Sequence, residues 1–421
     1  MRAVLLVLIA AVCCHAAGPS RAEIDGLYPS LEALYISLHT SPELAFQEKQ
    51  TAASLAARLK AFGFEVTTGV GGTGVVGILK NGAGPVAMLR TELDALPVTE
   101  QTGLPFSSRT AGVMHACGHD LHMSAWTGTA QWMAEHRQQW HGTLMLVGQP
   151  AEEVGAGAAA MLKDGLFTRF SKPDFVIALH DDDSLPAGQI GYHAGAFRAA
   201  ADFLTVTVFG RGGHGAMPQN TVDPVVIAAR TILAWQTIVS RENDPQSPAV
   251  VTVGAISGGT KNNIIPDQVQ MLVSVRSFDP EVRTRVLASI ARIAKAEALA
   301  ANAPREPLIE PTAGALSVES VVNDPALTSR VAAALKTSMP PAAVIEMPAK
   351  MTSEDFSEYG RAGAKALLLH IGAVDPAKLA ESRRTGVPVP APHSPQWAPV
   401  KDVTLKAAVQ AEIVALLDLL K

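Results

Sequence analysis

Charge is scarce in this chain. Asp, Glu, Lys and Arg make up 17% of its 421 residues, below the roughly 25% of an average soluble protein. Disordered chains are charge-rich and apolar-poor, so a 48% apolar composition excludes global disorder. The formal net charge is −5 and Lys and Arg are scattered, with no basic stripe. That argues against a nucleic-acid partner. The 34 Gly and 28 Pro follow no repeating period, which excludes collagen and coiled coil. Aromatics are few, at 5%. After the first few residues no segment reaches the ~18 uninterrupted apolar residues of a spanning helix, so no membrane partner is expected.

The one apolar run of note lies at the N-terminus. Arg2 precedes the run 3–14, which is too short to cross a bilayer, and small residues follow at Ala16, Ala17, Ser20 and Ala22. Residues 1–22 therefore read as an export signal, with several possible cleavage points. The expected location is the periplasm or the extracellular medium. Cysteine is also rare, with three in the chain. Cys13 and Cys14 fall in the signal, so Cys117 alone remains. No internal disulfide is possible, and a lone thiol in an oxidising compartment is expected to be buried or coordinated.

Hydrophobic spacing organises the rest. Helical periodicity marks 27–38, 45–62 and 124–135, while short apolar runs at 75–79, 86–89, 143–147 and 175–179 read as strands. Alternation of the two predicts an α/β domain with a mostly parallel sheet flanked by helices. Character changes near Gly195. Strands 203–209, 250–256 and 268–277, with helices 224–240 and 282–298, form a smaller α+β unit that ends in the Pro- and Gly-bearing stretch 304–314. Helix 326–337, strand 366–371 and helix 403–420 follow. The expected architecture is a two-piece catalytic domain, 23–194 and 315–421, with a smaller domain, 195–314, inserted. The site is expected in loops at the carboxyl ends of the strands.

Five clusters carry chemistry. Strand 86–89 runs into Glu92 and Asp94, whose i, i+2 spacing puts both carboxylates on one side of an extended chain. Cys117 and His119 flank Gly118, which lets the backbone turn so that both face one ion. Asp120 stands beside them, able to orient an imidazole from behind. Glu152 and Glu153 follow strand 143–147, where one can bind metal and the other take a proton from water. His180 ends strand 175–179, and His393 sits in the segment 391–395. Each has an ordinary alternative: a charged surface strand end, a surface His group, an acidic loop, a satisfied core histidine. Together, Cys117, His119, Glu153, His180 and His393 supply N, S and O ligands enough for two ions that share one. Zn, Mn, Co or Ni suit such a mixture.

The segments 39–44, 90–97, 114–122, 149–155, 210–224, 262–267, 351–356 and 393–395 resemble the M20 metallopeptidase family, in its amidohydrolase branch. That branch includes hippurate hydrolases, N-acyl-amino-acid amidohydrolases and plant auxin-conjugate hydrolases. The segments run in family order over nearly all of the chain beyond the signal. The resemblance implies two divalent metal ions per subunit, with Cys117, His119, Glu153, His180 and His393 as ligands and Cys117 as the bridge. It implies Glu152 as general base and Asp94 as the carboxylate that steadies a ligand, with Glu354 and Asp355 in a further acidic block. His214 matches a loop residue that reaches the neighbouring subunit's site and helps hold the reacting carbonyl oxygen. Asn263 and Arg276 match residues that bind the substrate carboxylate. The inserted domain would then be ferredoxin-like, and would join a homodimer. Three residues or runs depart from the branch. Glu92 replaces an Asp and could add a metal contact. Asp181-Asp182-Asp183 replaces apolar or aromatic residues and is expected to repel acidic substrates. Trp397 stands where Phe is common.

The implied reaction is hydrolysis of an N-acyl-L-amino acid, a small-molecule substrate, by metal-activated water. The alternatives are a dipeptidase or carboxypeptidase of the same family, or a non-catalytic binding protein that retains its metals. Nucleophilic catalysis by Cys117 is disfavoured because a metal-bound thiolate is occupied.

Overall fold

The computed structural model describes residues 18–421, so most of the export segment lies outside the described residues. Ser20 caps the first helix, Arg21–Thr40, in a capping box with Glu23. Cleavage after Ala22 would remove that cap, whereas cleavage after Ala17 would keep it.

Eight strands form the main sheet, in the order Glu65–Val70, Gly74–Asn81, Gly142–Gln149, Val86–Glu92, Phe175–Pro186, Lys365–Val374, Ile190–Tyr192 and Val344–Glu346. Its central strands, from Gly142–Gln149 to Lys365–Val374, are mutually parallel. Their carboxyl ends therefore open on one edge, which carries Glu92, Gln149, His180 and His370. Such strands are buried on both faces and read as continuous apolar runs. One face packs on helices Arg21–Thr40, Lys49–Ala61, His119–Glu135 and Lys401–Leu419, and the other on a smaller cluster around Met88, Met145, Met161 and Phe356. Helix His119–Glu135 is buried on nearly every side, including Trp126 and Trp132, as befits a helix enclosed by sheet and helices.

Residues 200–311 fold as strand–helix–strand–strand–helix–strand, a ferredoxin-like unit. Its sheet runs Ala249–Ser257, Gln268–Ser277, Ala200–Phe209, Leu308–Pro311. Val269, Met271, Val273 and Val275 alternate inward beneath helices Pro224–Thr237 and Pro280–Ala300. Expected helix 45–62 starts only at Lys49, because Phe46 just before it takes a left-handed turn (φ 60°). Strand 175–179 continues to Pro186 and so carries His180 and all three Asp residues. No helix among the described residues is long and apolar enough to cross a membrane.

Glu412 lies buried in helix Lys401–Leu419, with the Thr129 hydroxyl donating to it at 2.6 Å. Burial pushes its carboxyl from 4.5 up to about 8. The unfolded chain ionises it near the lower value, so stability falls as pH rises between the two. Glu412→Gln is expected to gain about 2–4 kcal/mol over the parent at pH 8 and nothing at pH 4 in urea unfolding. A gap that does not widen with pH contradicts this assignment.

Candidate metal centre and active site

Gly118 adopts φ 72°, and a Cβ there would fall 2.2 Å from the Asp181 carboxylate. Glycine at this point therefore lets Cys117 and His119 turn together against strand Phe175–Pro186. Cys117 Sγ lies 3.6 Å from His180 Nε2. His180 donates from Nδ1 to the Asp181 carbonyl at 2.8 Å, which leaves the Nε2 lone pair aimed at the thiol. His119 is fixed in the same manner, its Nδ1 donating to the Asp94 carbonyl at 2.7 Å. Its Nε2 lies 3.8 Å from both Glu152 and Glu153. His393, in a left-handed conformation (φ 71°), brings Nε2 to 3.3 Å from Glu153.

The acidic pair is held by its backbone. Asp94 accepts the Glu152 N–H at 3.1 Å on one carboxylate oxygen and the Glu153 N–H at 3.0 Å on the other. Ala151 takes φ 51°, and its N–H donates to buried Glu48 at 2.9 Å. Both carboxylates are thus freed to point into the site.

Electrostatically the site asks for cations. Burial alone would lower the His119 pKa, but contact with Asp94 and the charges of Glu92 and Glu153 lift it to about 10. Burial raises Glu152 well above the carboxylate range, reinforced by Glu354, Glu153 and Asp355. It also lifts Glu153 to about 7 against the pull of His119. Cys117 is pushed up by burial and by Glu153. His119 Nε2 and Glu153 Oε1 are buried with no hydrogen-bond partner. Unpaired buried polar atoms are costly, and a cation between them satisfies both. Cys117, His119 and His180 form one group of donors within 4.8 Å of one another, as do Cys117, Glu153 and His393. The donor set fits two divalent ions of Zn or Mn type.

Behind the donors lies a buried network. Arg90 donates to Gln149 at 2.9 Å, Glu354 at 2.8 Å and Asp355 at 3.1 Å, and also to Glu92. Glu92 accepts from His122 Nδ1 at 3.0 Å, while His122 Nε2 accepts the Asp181 N–H at 2.8 Å. Both nitrogens of His122 are occupied, so it is no free donor. Asp120 orients an imidazole, as its placement suggested, but that of His39, at 2.6 Å, not one of the cluster.

The acidic run behaves differently from expectation. Asp181 accepts from Trp397 Nε1 at 3.0 Å, and Asp182 is paired with Lys350 and His370, each at 2.6 Å. Both are buried, but only Asp182 is paired with a cation; Asp181 keeps its charge, with one carboxylate oxygen buried and unpartnered beside the donors. Residues that the motifs did not reveal include Glu48, His370, Lys350 and Arg198. Their roles rest on contacts between distant segments, although His370, like His180, sits at a strand's carboxyl end.

A cavity of about 550 Å³ opens on the donors, lined by Cys117, Glu152, His180 and His393 and, from the ferredoxin-like unit, by Phe203 and Arg276. Arg276 donates to Ser353 at 2.8 Å. His214 and Asn263 do not line it. They lie on an exposed ribbon, where Gly213–His214 pairs with Ile264–Ile265 and Asn263 accepts the Gly215 N–H at 2.9 Å.

Residues 88–384 match the model of peptidase family M20/M25/M40. The chain belongs to this family. This M20 chain is 43% identical over 277 residues to a hippurate hydrolase of Campylobacter jejuni, covering 65% of this chain and 71% of that one. It is 38% identical over 327 residues to an N-acetyl-L-cysteine deacetylase of Bacillus subtilis, covering 76% and 75%. A crystal structure of a dinuclear metal binding peptidase of the M20 family from Bacillus subtilis superposes with TM-score 0.76 at 27% identity, covering 94% of this chain and 99% of that one. The M20 chain is thus a metal-dependent hydrolase acting on amide bonds.

Proposed function

We propose that this M20 hydrolase cleaves the amide bond of N-acyl-L-amino acids, with Glu152 as general base. The observation that carries the reading is the placement of Glu152. Its carboxylate faces the cavity 3.8 Å from His119, beside Glu153, with a pKa raised by burial and by neighbouring acids. A carboxylate raised in this way holds a proton more firmly than an ordinary one, as proton transfer from water requires. Cys117, His119, Glu153, His180 and His393 would hold two divalent ions. Such a pair, when bound, lowers the pKa of water and polarises a carbonyl. Glu152 would take the proton from water and deliver it to the leaving amine. Arg276 would clamp the free α-carboxylate with its fork of donors. Asp94 acts through others: its backbone carbonyl, rather than the expected carboxylate, fixes the tautomer of His119, and its carboxylate fixes the turn that bears both glutamates.

His214 would act across a homodimer. Its exposure on a ribbon outside its own cavity supports that reading, and Asn263 lies on the same ribbon.

The names of the relatives support an acyl group removed from an amino acid. The test is amino-acid release from a panel of N-acetyl- and N-benzoyl-amino acids and dipeptides, by protein loaded with Mn or Zn. Release that stops on adding chelator is the expected result. Release from dipeptides alone would make it a dipeptidase, and none at all would favour a metal-retaining binding protein.

A further inference from the structure

Arg198 closes strand Gly195–Arg198, is only 6% exposed and lines the cavity. Among the described residues, no carboxylate pairs with it. Its Nε donates to His370 Nε2 at 3.2 Å and its Nη1 to the Thr352 hydroxyl, and Nη2 has no hydrogen-bond partner among the described residues. Arg90, equally buried, is matched by Glu92, Glu354 and Asp355. A buried guanidinium with no carboxylate in contact is expensive, and Glu354 acts on it only from beyond ion-pair distance. Arg198 pays that cost facing a ligand-sized space.

Its neighbours hold it there and do not neutralise it. His370 donates from Nδ1 to Asp182 at 2.6 Å, so its Nε2 is an acceptor and the ring is neutral. The ring packs on Phe197, with centroids 4.4 Å apart. Asp182 gives its charge to Lys350 at 2.6 Å and accepts the Ser184 N–H at 2.7 Å. Lys350 is further engaged by Asp183 at 3.4 Å. The acidic run therefore serves to quench Lys350 and to aim Arg198 through His370. Arg276, in the same cavity, likewise has only a hydroxyl partner, Ser353. One cavity thus presents two guanidinium groups that pair with none of its carboxylates among the described residues, although Glu152, Glu153, Glu354 and Asp355 also line it.

We propose that Arg198 binds a second carboxylate of the substrate, so that the preferred N-acyl-amino acids are dicarboxylates. The inference rests on the amidohydrolase reading above, with Arg276 taking the α-carboxylate and Arg198 the other. The second carboxylate belongs either to the acyl group or to the amino-acid side chain.

Calorimetric binding to metal-loaded Glu152→Gln protein, in which turnover is silenced, tests this. Two matched pairs are compared: N-acetyl-glutamate with N-acetyl-glutamine, and N-succinyl-leucine with N-acetyl-leucine. In at least one pair the dicarboxylate is expected to bind about 10- to 100-fold more tightly. The pair that discriminates identifies which end carries the charge. Adding Arg198→Met should erase the preference, and Arg198→Lys should retain part of it. If the Met variant does not fold, the parental preference and the Lys variant decide. Preference below about twofold in both pairs, or binding of none of the four, overturns the proposal. So does an Arg198→Met enzyme whose kcat falls equally on all substrates with binding ratios intact, since that assigns Arg198 to the oxyanion. Chelator-sensitive hydrolysis of the monocarboxylates without dicarboxylate preference sinks this inference alone. No chelator-sensitive hydrolysis of any of the four sinks the reading beneath it.

Discussion

Replacing Glu152 by Gln is expected to lower kcat by at least about 10³-fold while metal content stays at the parental level. The substitution keeps the shape of the side chain and removes its ability to accept a proton. Backbone support for the turn is untouched, because Asp94 holds the N–H groups of residues 152 and 153, not their side chains. The donors Cys117, His119, Glu153, His180 and His393 also remain. Glu152 is raised by burial and by Glu354, Glu153 and Asp355, and a cation beside it would lower it again. The two effects oppose each other. Steady-state kinetics with elemental analysis of the same sample checks this. Turnover within tenfold of the parent would remove Glu152 as the base.

Arg90→Met should cost about 3–5 kcal/mol of stability, a large share of a domain's usual margin. The guanidinium is fully buried and is the shared counter-charge of Glu92, Glu354 and Asp355. Methionine fills much of the volume but leaves three carboxylates in a dry interior. Those groups then take up protons in the folded state at pH values where the unfolded chain has released them. The deficit should accordingly shrink as pH falls towards 4 and grow above it. Urea unfolding of metal-loaded protein at several pH values measures it. A deficit under about 1 kcal/mol at pH 7 would show that the carboxylates are solvated or protonated without Arg90.

Much of this was legible in the sequence where physics is local. The alternation Val269, Met271, Val273, Val275 places strand Gln268–Ser277 to the residue, since only one face of that sheet is covered. Apolar runs bounded by Gly and Pro located the central parallel strands, whose ends carry the site. Less legible were Glu65–Val70, a mostly exposed strand with polar residues, and the three-residue strands Val321–Asn323 and Val344–Glu346, too short for any periodicity. The acidic run after His180 lay outside the apolar run 175–179 that marked the strand. It is strand, because Lys350, His370 and Trp397 from distant segments neutralise or bind it. Ligand types and their spacing revealed the donors, which the fold gathers. The pairing of Arg198 with His370, and of Glu48 with the turn at Ala151, depends on long-range contacts that no local pattern encodes.

Amide hydrolysis is proposed to depend on two divalent ions held by the buried donors around Cys117. The most direct measurement is the metal content of the chain after loading with Mn or Zn and removal of excess, followed as chelator is titrated against activity. Two ions per chain, with activity falling as they leave, is the predicted result. Fewer than one ion per chain, or full activity in excess chelator, would contradict it.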